Sequence, residues 1–387
     1  MNISDVLISL LRSELCGEES PSITEKEFTS ELSEKIFTLA EHHDLAHFIR
    51  EPMKKSGLLE PNSELEKKLQ KQQMLAVFRY KRIEHELITL SKLFEDEKIP
   101  FIPLKGSVIR KYYSKPWMRT SCDIDILIKE TEFERAKNII CSKLGYKAED
   151  TPGYHDISLY SPSGVHLELH FNIKEKMEQI DILLEKAWDY AAPKSEGSCE
   201  YVFSPEFFIF HIVAHMSYHF INGGCGIRPF MDMYLVKKNT EYNEAELIKM
   251  CDECNLADFY RSVSYLTDSW FSDKQKNALT ERMQEYLIYG GVYGTLENKV
   301  AVDRTRRGGK SRYALSRIFI PFRSLKLLYP ILERHPWLMP VCHIRRWFSI
   351  IFGGRLKSSI GEMKANSNIS DEKANQTANL LKEIGLI

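Results

Sequence analysis

Two aspartates at alternate positions are the residues of this sequence best placed to do chemistry. Asp123 and Asp125 lie in the run RTSCDIDILIKE, on either side of Ile124 and just before the apolar residues 126–128. Because side chains alternate between the two faces of a β-strand, both carboxylates share one face and the isoleucines enter the core. Two carboxylates this close repel each other, and a divalent cation relieves that cost. Mg²⁺ prefers such oxygen ligands, typically together with substrate phosphates.

A third carboxylate is expected on a neighbouring strand. In the run VHLELHF, Glu168 shares a face with His166 and His170, and the apolar residues between them take the other face. Two aspartates and a glutamate in this arrangement can hold two metal ions, which activate an attacking oxygen and stabilise a leaving one. The structural alternative is that the aspartates form salt bridges with Arg119 or Lys129.

A glycine-serine turn precedes the paired aspartates. The run IPFIPLKGSVIRKYY predicts a strand over 101–104 and a short helix with Ser107 as its N-cap. A turn at a helix N-terminus presents free N–H groups and a positive dipole end, which suit phosphate. Gly106 lets a phosphate approach the backbone, Ser107 offers a hydroxyl, and Lys105 adds charge. A capped helix without a ligand is the alternative, and the aspartates that follow favour phosphate binding.

The elements around these motifs predict an α+β protein. A helix ends before Pro100, and a strand, a short helix, the aspartate strand, an amphipathic helix and a hairpin follow between about 99 and 175. We therefore expect a small mixed β-sheet with flanking helices, embedded between helical N- and C-terminal regions. The expected parts are a helical region at 1–98, the catalytic α/β unit at 99–200, a helical region at 201–300, and a basic, aromatic-rich segment with a polar tail at 301–387. The tail is expected to be loosely attached after about 358, apart from a last amphipathic turn near 378–387.

Composition excludes several classes of protein. The 387 residues are 43% hydrophobic and 28% charged, which excludes global disorder, and the net charge of −1 indicates no partner. The sequence predicts neither a signal peptide nor a membrane span. The eight cysteines show no disulfide pattern, and the lone C-x-x-C at 251–254 lacks the second pair that a zinc ribbon needs. We expect reduced thiols and a cytoplasmic location.

Charge is concentrated near the C-terminus. Residues 301–357 contain thirteen Lys and Arg against two acidic residues, mixed with large aromatic side chains. Such a segment can bind nucleic acid, lie on an anionic membrane, or pack on the acidic remainder of the chain. We favour packing, because a free arm would expose its large apolar residues: Phe319, Phe322, Leu328, Trp337 and Trp347.

Two weaker patterns lie on the helices that follow the α/β unit. His211, His215 and His219 recur every four residues and share a helix face. Packing or lining of a cleft is favoured over a metal site, because no adjacent Cys or carboxylate completes one. Arg228 and Asp232 are expected to form an ion pair within their helix, with a phosphate contact of Arg228 as the alternative.

The order of the motifs resembles the nucleotidyltransferase superfamily related to DNA polymerase β. More specifically, the runs IPFIPLKGSVIRKYY, RTSCDIDILI, HLELHF and GIRPFMDMYLV resemble a bacterial family described only as uncharacterised nucleotidyltransferases, over about residues 70–240. The resemblance implies Mg²⁺-dependent transfer of a nucleoside monophosphate from an NTP to a hydroxyl, with release of pyrophosphate. One departure is that the spacing from Gly-Ser to Asp-x-Asp is slightly longer than in the superfamily, which would displace the phosphate turn.

The resemblance also implies roles for the residues above. Gly106 and Ser107 hold the triphosphate, with Lys105 and Arg119 as further nucleotide-binding residues. The catalytic residues and metal ligands are Asp123, Asp125 and Glu168. Two Mg²⁺ ions are expected, with Mn²⁺ as the alternative.

The partners implied are an NTP and a hydroxyl acceptor. ATP is the preferred nucleotide, and a small molecule and a protein side chain both remain open as acceptors. The alternative function is a catalytically inactive nucleotide-binding or antitoxin-like interaction module on the same fold. The presence of all three carboxylates and of the Gly-Ser turn favours the enzyme.

Overall fold

The structure is a computed structural model that describes residues 2–18, 30–292, 294–352 and 356–387. Over these residues the fold is α+β: a five-stranded mixed sheet lies among helices, and a second sheet has two strands. This confirms the fold class expected from the sequence. None of the described helices combines the length and the hydropathy that a membrane-spanning segment requires.

Four helices precede the large sheet: α1 (Ile3–Cys16), α2 (Ser30–His42), α3 (Ala46–Lys55) and α4 (Glu64–Asp96). The longest, α4, begins where the Ser63 hydroxyl accepts a hydrogen bond from the backbone N–H of Glu66 at 3.1 Å. It ends before Pro100, as expected. Its buried Leu90 and Phe94 pack with the apolar side chains of the sheet, so α4 covers one face of the sheet.

The large sheet has the strand order β1-β2-β5-β4-β3, and only β2 and β5 pair in parallel. The expected hairpin is β4–β5, whereas the two-residue β3 was not predicted because two residues show no alternation. Its strands and connecting helices are β1 (Phe101–Pro103), α5 (Gly106–Ile109), β2 (Asp123–Ile128), α6 (Phe133–Leu144), β3 (Lys147–Ala148), β4 (Asp156–Tyr160) and β5 (His166–His170). The 3₁₀ turns Arg110–Tyr112, Pro116–Met118 and Glu130–Glu132 complete the unit.

The two faces of the sheet belong to different cores. Ile124 and Ile126 of β2 are fully buried in a cluster with side chains of α4 and α6. Leu127, on the opposite face with the aspartates, belongs to a larger cluster that joins the N-terminal helices to the helices after the sheet. Helices therefore cover both faces, and the carboxylates point toward the larger, helical side.

The chain after the sheet is mainly helical. It contains α7 (Glu178–Leu184), the 3₁₀ turn Ala187–Tyr190, β6 (Ala191–Pro193), β7 (Tyr201–Phe203), α8 (Pro205–Ile221), α9 (Arg228–Asn239), α10 (Glu244–Glu253), α11 (Ala257–Phe271) and α12 (Ala278–Ile288). Helix α9 contacts both α8 and α5, which brings the histidine-bearing α8 to the carboxylate side of the sheet. The strands β6 and β7 form the small antiparallel sheet, which was not predicted.

The C-terminal part is also helical. It comprises α13 (Leu296–Arg306), α14 (Lys310–Ile318), α15 (Phe322–Leu328), the 3₁₀ turns Pro330–Glu333 and Pro336–Leu338, α16 (Met339–Phe352), α17 (Leu356–Asn368) and α18 (Asp371–Glu383). The prediction of a loosely attached tail is wrong for the end of α17, because Ala365 and Ile369 are buried with Val300 and Ala301 of α13. The amphipathic turn expected near 378–387 lies at the end of α18, where Leu381 and the following Ile384 are 0% exposed in the main core. The apolar spacing of this last helix is sufficient to bury it.

The prediction that the basic segment packs on the rest of the protein is wrong for most of residues 310–352. Tyr313 is buried with residues of α13 and α17, but Phe319, Leu328 and Trp337 are 53%, 56% and 73% exposed. Phe322 and Trp347 are half-buried. The physical reason is that a sum of charges constrains the net charge of a protein and says nothing about where its apolar residues lie.

Candidate functional site

The three carboxylates meet on one face of the sheet. Asp125 of β2 lies opposite Glu168 of β5 in the parallel register, and Asp123 lies opposite His166. Because the register pairs these residues directly, their side chains leave the sheet on the same side. The sequence thus placed the carboxylates by strand parity, and the structure brings the three together.

Their charges are unequally compensated. Burial and the neighbouring Asp125 and Glu168 raise the pKa of Asp123. Asp125 differs: burial alone would raise its pKa, but the Lys105 ammonium at 3.4 Å and the His170 ring at 3.2 Å lower it well below its usual range. The other carboxylates therefore destabilise the negative charge of Asp123, whereas two cationic neighbours stabilise that of Asp125.

The cations are held in place by the same cluster. Despite burial, hydrogen bonds to Asp125 and Glu168 raise the pKa of His170 to about 9. Burial opposes the charge of Lys105 as well, but four carboxylates, led by Asp125 and Glu175, raise its pKa above the ordinary value. The buried acids thus have one lysine and one protonated histidine as cationic neighbours, which offset only part of their charge.

The donor set fits a divalent cation. Ligand atoms of Asp123, His166 and Glu168 lie within 4.8 Å of one another, as do those of Asp125, Glu168 and His170. Carboxylate oxygens dominate both groups, which is the chemistry of a Mg²⁺ or Mn²⁺ site rather than a thiolate site. The raised pKa of Asp123 supports this fit, because a cation near Asp123 would relieve the repulsion that raises it.

The turn before α5 differs in detail from the expectation. Ser107 is not the N-cap: it lies inside α5, its N–H donates to the Leu104 carbonyl at 3.0 Å, and Lys105 occupies the N-cap position. The positive φ of the turn, 41°, also falls on Lys105 rather than on Gly106. A lysine in this backbone conformation is uncommon and points its ammonium toward the carboxylates, which is the kind of strain found at functional sites.

The glycine and the serine of this turn are not equivalent. Gly106 is buried and lines the cavity described below, and its N–H has no hydrogen-bond partner among the described residues. Ser107 is half-buried and is not part of the cavity wall that the described residues form. The backbone of Gly106 is therefore available to a ligand, while the hydroxyl of Ser107 is not directed at this cavity.

The arginines of the site are held by aspartates from distant parts of the chain. Arg119 donates from Nε and Nη2 to the Asp232 carboxylate at 2.8 Å, and Tyr113 donates to the same carboxylate at 2.7 Å. Arg228 donates to Asp44 at 2.7 Å. The predicted ion pair between Arg228 and Asp232 is therefore wrong: the helix orients both side chains toward partners on other elements.

The alternative of a salt bridge between the aspartate strand and Arg119 or Lys129 is also not formed among the described residues. Arg119 pairs with Asp232, and Lys129 lies over the ring of Trp188.

The three histidines of α8 line the cavity, as the sequence favoured. Nδ1 of His215 hydrogen-bonds the Glu175 carboxylate at 2.7 Å, and Nε2 of His215 lies 3.1 Å from Nε2 of His219. Burial lowers the pKa of His211 and of His219 to about 3, so both are neutral at physiological pH. Burial opposes the charge of Glu175, but His215 and Lys105 lower its pKa to about 2. Glu175 is the ionised partner of this histidine row.

One cavity of about 830 Å³ brings together the carboxylates, the Lys105 turn and the histidine row. Its wall includes the three carboxylates, Lys105, Gly106, the α8 histidines and Glu175, as well as Arg79, Arg228 and the half-exposed ring of Tyr154. Its volume lies in the range of small-molecule binding sites, and its polar groups converge from the sheet, α4, α8 and α9. It is large enough for a nucleotide and part of a second substrate.

Several residues of this cavity were not predicted from the sequence. Glu175 follows β5 in an irregular segment, where no periodicity indicates which way a side chain points, so no carboxylate was predicted to lie beside the histidine row. Asp44 and Arg79 come from the N-terminal helices, more than forty residues before the aspartates. His170 had a usable signal, because it shares strand parity with Glu168.

Comparison with known proteins agrees with this geometry. A profile of the family described as "Uncharacterised nucleotidyltransferase" matches residues 30–272. No curated protein and no solved structure matches the chain. The matched residues cover more than half of the chain and include the sheet, the three carboxylates, the Lys105 turn and the α8 histidines. The chain therefore belongs to this uncharacterised nucleotidyltransferase family.

Proposed function

We propose that this protein is a metal-dependent nucleotidyltransferase that moves a nucleoside monophosphate from an NTP to a hydroxyl acceptor and releases pyrophosphate. The observation that carries the proposal is the convergence of Asp123, Asp125 and Glu168 on one wall of a nucleotide-sized cavity in a chain of this family. The Lys105 turn on the same wall supplies positive charge for phosphate.

Asp123, Asp125 and Glu168 would hold Mg²⁺, with Mn²⁺ as the alternative. A bound divalent ion supplies positive charge that stabilises the transferring phosphate and lowers the pKa of an attacking hydroxyl. The contribution of the protein is to fix three carboxylates on two paired strands, so that no side chain must reorganise during the reaction.

Lys105 and Gly106 are proposed to hold the triphosphate. The Lys105 ammonium reaches the carboxylate cluster, and the free N–H of Gly106 lines the same wall. Arg79 is 43% exposed in its side chain, so it can reach an anionic substrate, and it shares Asp44 with Arg228. Arg119 acts differently. Its bidentate pair with Asp232 makes it a positioning residue that fixes α9 against the 3₁₀ turn Pro116–Met118.

The acceptor is proposed to lie between the carboxylates and the histidine row. The hydroxyl attacks the α-phosphorus, a new O–P bond forms, and the bond to the pyrophosphate leaving group breaks. His215 accepts the hydroxyl proton at Nε2, where the acceptor hydroxyl replaces the contact of this atom with His219. Glu175 stabilises the resulting imidazolium through the 2.7 Å hydrogen bond with Nδ1. Glu168, on the carboxylate side, would help to hold the metal.

ATP is the preferred nucleotide, and the test does not depend on that choice. The protein is incubated with each α-labelled NTP, Mg²⁺ and a cell lysate, and label is followed into small molecules and into protein. Transfer that requires Mg²⁺ and is lost in Asp125→Asn supports the proposal and reveals the acceptor class. Stoichiometric NTP binding without transfer to either fraction would instead identify an inactive nucleotide-binding or antitoxin-like module.

A further inference from the structure

Helix α16 turns an apolar stripe toward solvent. Ile344, Phe348 and Phe352 are 49%, 58% and 79% exposed, and Val341 and Ile351 are 58% and 51% exposed. Their spacing of three and four residues places them on one side of the helix, while the buried Cys342 lies on the other side. A helix of an ordinary soluble protein has the reverse orientation, with its apolar stripe inward.

The elements next to α16 also expose large apolar side chains. Helix α15 and the two 3₁₀ turns pack with α16 around a small interior of Leu325, Leu332 and Cys342. Outside that interior, Leu327 and Trp337 are 81% and 73% exposed, the former being among the most exposed large apolar residues of the described chain. We call residues 322–352, with these outward side chains, the C-terminal apolar surface. Single exposed apolar residues are ordinary on protein surfaces, but a continuous set on adjacent elements marks a binding surface.

Positive charge is concentrated in the same part of the chain. Residues 310–352 contain eight Lys and Arg and only one acidic residue, Glu333. Arg312, Arg323 and Arg334 are exposed and have no carboxylate within 4.0 Å among the described residues. Charge of one sign beside unpaired apolar side chains selects for a partner that is anionic and accepts hydrocarbon.

These two features decide between occupants. A second copy of the same surface would bring like charges together, which disfavours a self-associated dimer. Nucleic acid would use the arginines, but it offers nothing to the aliphatic stripe of Val341, Ile344 and Ile351. An anionic lipid surface uses both, because headgroups pair with the basic side chains while the apolar side chains enter the boundary of the acyl chains.

We propose that the C-terminal apolar surface binds an anionic lipid membrane peripherally. The described helices do not span a bilayer, so α16 lies in the plane of the interface with Ile344, Phe348 and Phe352 inserted. Membrane binding of this kind needs two signals, an apolar one and an electrostatic one, and this surface supplies both. The proposal concerns a surface apart from the carboxylate cavity and does not depend on the reaction.

The test uses flotation of the full-length protein with vesicles of phosphatidylcholine alone and of phosphatidylcholine mixed with phosphatidylglycerol. We expect binding only to the mixed vesicles, and weaker binding as salt increases. Ile344→Ser/Phe348→Ser/Phe352→Ser should lower the partition coefficient about tenfold or more. The matched control is Met74→Ser/Phe78→Ser/Ile88→Ser on α4, whose side chains are 65%, 59% and 64% exposed and which should leave partitioning unchanged.

A charge variant and a fluorescence signal separate the two contributions. Arg312→Gln/Arg323→Gln/Arg334→Gln should lower binding to the mixed vesicles by roughly fivefold for each positive charge removed. Trp337 should contribute a blue shift of tryptophan emission on vesicle addition, and Trp337→Phe should lose that part of the shift while still floating. All substituted side chains in the two C-terminal variants are exposed, so equal melting temperatures should confirm that the variants fold.

The proposal is overturned if the wild-type protein does not float with mixed vesicles, or if the α16 variant floats as well as the α4 control. It is also overturned if the surface drives another association instead. The diagnostic results would be an oligomer that the α16 variant abolishes, or binding of an RNA homopolymer or an acidic protein, in either case without vesicle binding.

Discussion

The sheet unit and the C-terminal apolar surface break the usual distribution of side chains in opposite ways. In the sheet unit, Asp125 is buried to 7% exposure beside two other carboxylates. In the C-terminal surface, Leu327 and Phe352 are exposed to 81% and 79%. Each arrangement costs free energy that an ordinary choice of residue would avoid, so each is expected to serve a ligand.

The difference lies in what each region lacks. The carboxylates lack positive charge, and Lys105 and His170 supply only part of it. The apolar surface lacks a hydrophobic neighbour, and no described residue supplies one. Under the functions proposed above, a small cation and a nucleotide would complete the first region, and an extended lipid surface would complete the second.

The largest expected effect concerns the carboxylates. Asp125→Asn and Asp123→Asn should each reduce nucleotidyl transfer by roughly a thousandfold, the scale on which one removed electrostatic group acts in a preorganised site. The exposed Asp150→Asn is the control and should retain activity. The measurement is Mg²⁺-dependent transfer of labelled nucleotide under single-turnover conditions. Full activity in either variant would remove that aspartate from the site.

The two aspartate variants should differ in stability. Sequence alone predicts that Asp125→Asn does not lower stability, because it removes a charge from a like-charged cluster. The structure separates the two variants: repulsion and burial raise the pKa of Asp123, whereas Lys105 and His170 lower that of Asp125. In metal-free buffer, Asp123→Asn should therefore melt at or above the wild-type temperature, and Asp125→Asn below it. Equal shifts would show that the cationic neighbours do not distinguish the two carboxylates.

The sequence predicted the sheet unit well for a physical reason. Strand parity is local, so alternation in the run DIDILI was enough to place Asp123 and Asp125 on one face. Alternation in the run VHLELHF likewise indicated Glu168 as the third carboxylate, and the parallel pairing of β2 and β5 brings it close. What parity could not show was Glu175, because it lies in a segment without periodicity and meets His215 only through tertiary packing.

The sequence predicted the C-terminal part poorly for a different reason. Packing was predicted from the charge sum and from the presence of large apolar residues, but neither of these shows which side of a helix faces the core. Helix α16 has a clear apolar stripe, and periodicity alone does not show whether that stripe meets protein, lipid or water. The amphipathic turn expected near 378–387 is the contrasting case, because its stripe does meet the core.

A matched pair of leucines tests the contrast between buried and open stripes. Leu381→Ala on α18 should lower the free energy of unfolding by about 3 kcal/mol, because Leu381 is 0% exposed in the main core. Leu327→Ala, at a side chain 81% exposed, should change it by less than about 0.5 kcal/mol. Urea denaturation of both variants measures this. Comparable losses would mean that the C-terminal apolar surface is covered by protein after all.

The histidine row gives an effect on activity alone. Glu175→Gln removes the charge that stabilises a protonated His215 and should lower kcat about a hundredfold, with a smaller change in KM for the acceptor. Glu175→Asp should recover part of the loss, because the carboxylate is kept. The control is Glu185→Gln, at an exposed position at the C-terminal end of α7. A loss confined to KM, with kcat intact, would assign Glu175 to acceptor binding instead of proton transfer.

The smallest expected effect is the dependence of stability on pH. Burial lowers the pKa of His47 to about 4, below the value of 6.5 of an exposed histidine. The unfolded chain therefore binds a proton between about pH 6.5 and 4 that the folded chain does not, so stability is complete above that range and falls as the pH decreases. Each such histidine contributes about 1 kcal/mol between pH 6.5 and 5.5, and about 1.3 kcal/mol between pH 7.5 and 5.5. His47→Gln keeps a donor for the Met118 carbonyl, which lies 2.9 Å from Nε2, and should flatten the dependence by that amount. His335→Gln, at an exposed position in the C-terminal apolar surface, is the control and should leave the slope unchanged. Unfolding free energies at pH 7.5, 6.5 and 5.5 decide the matter, since parallel curves for His47→Gln and wild type would show that this buried histidine does not resist protonation.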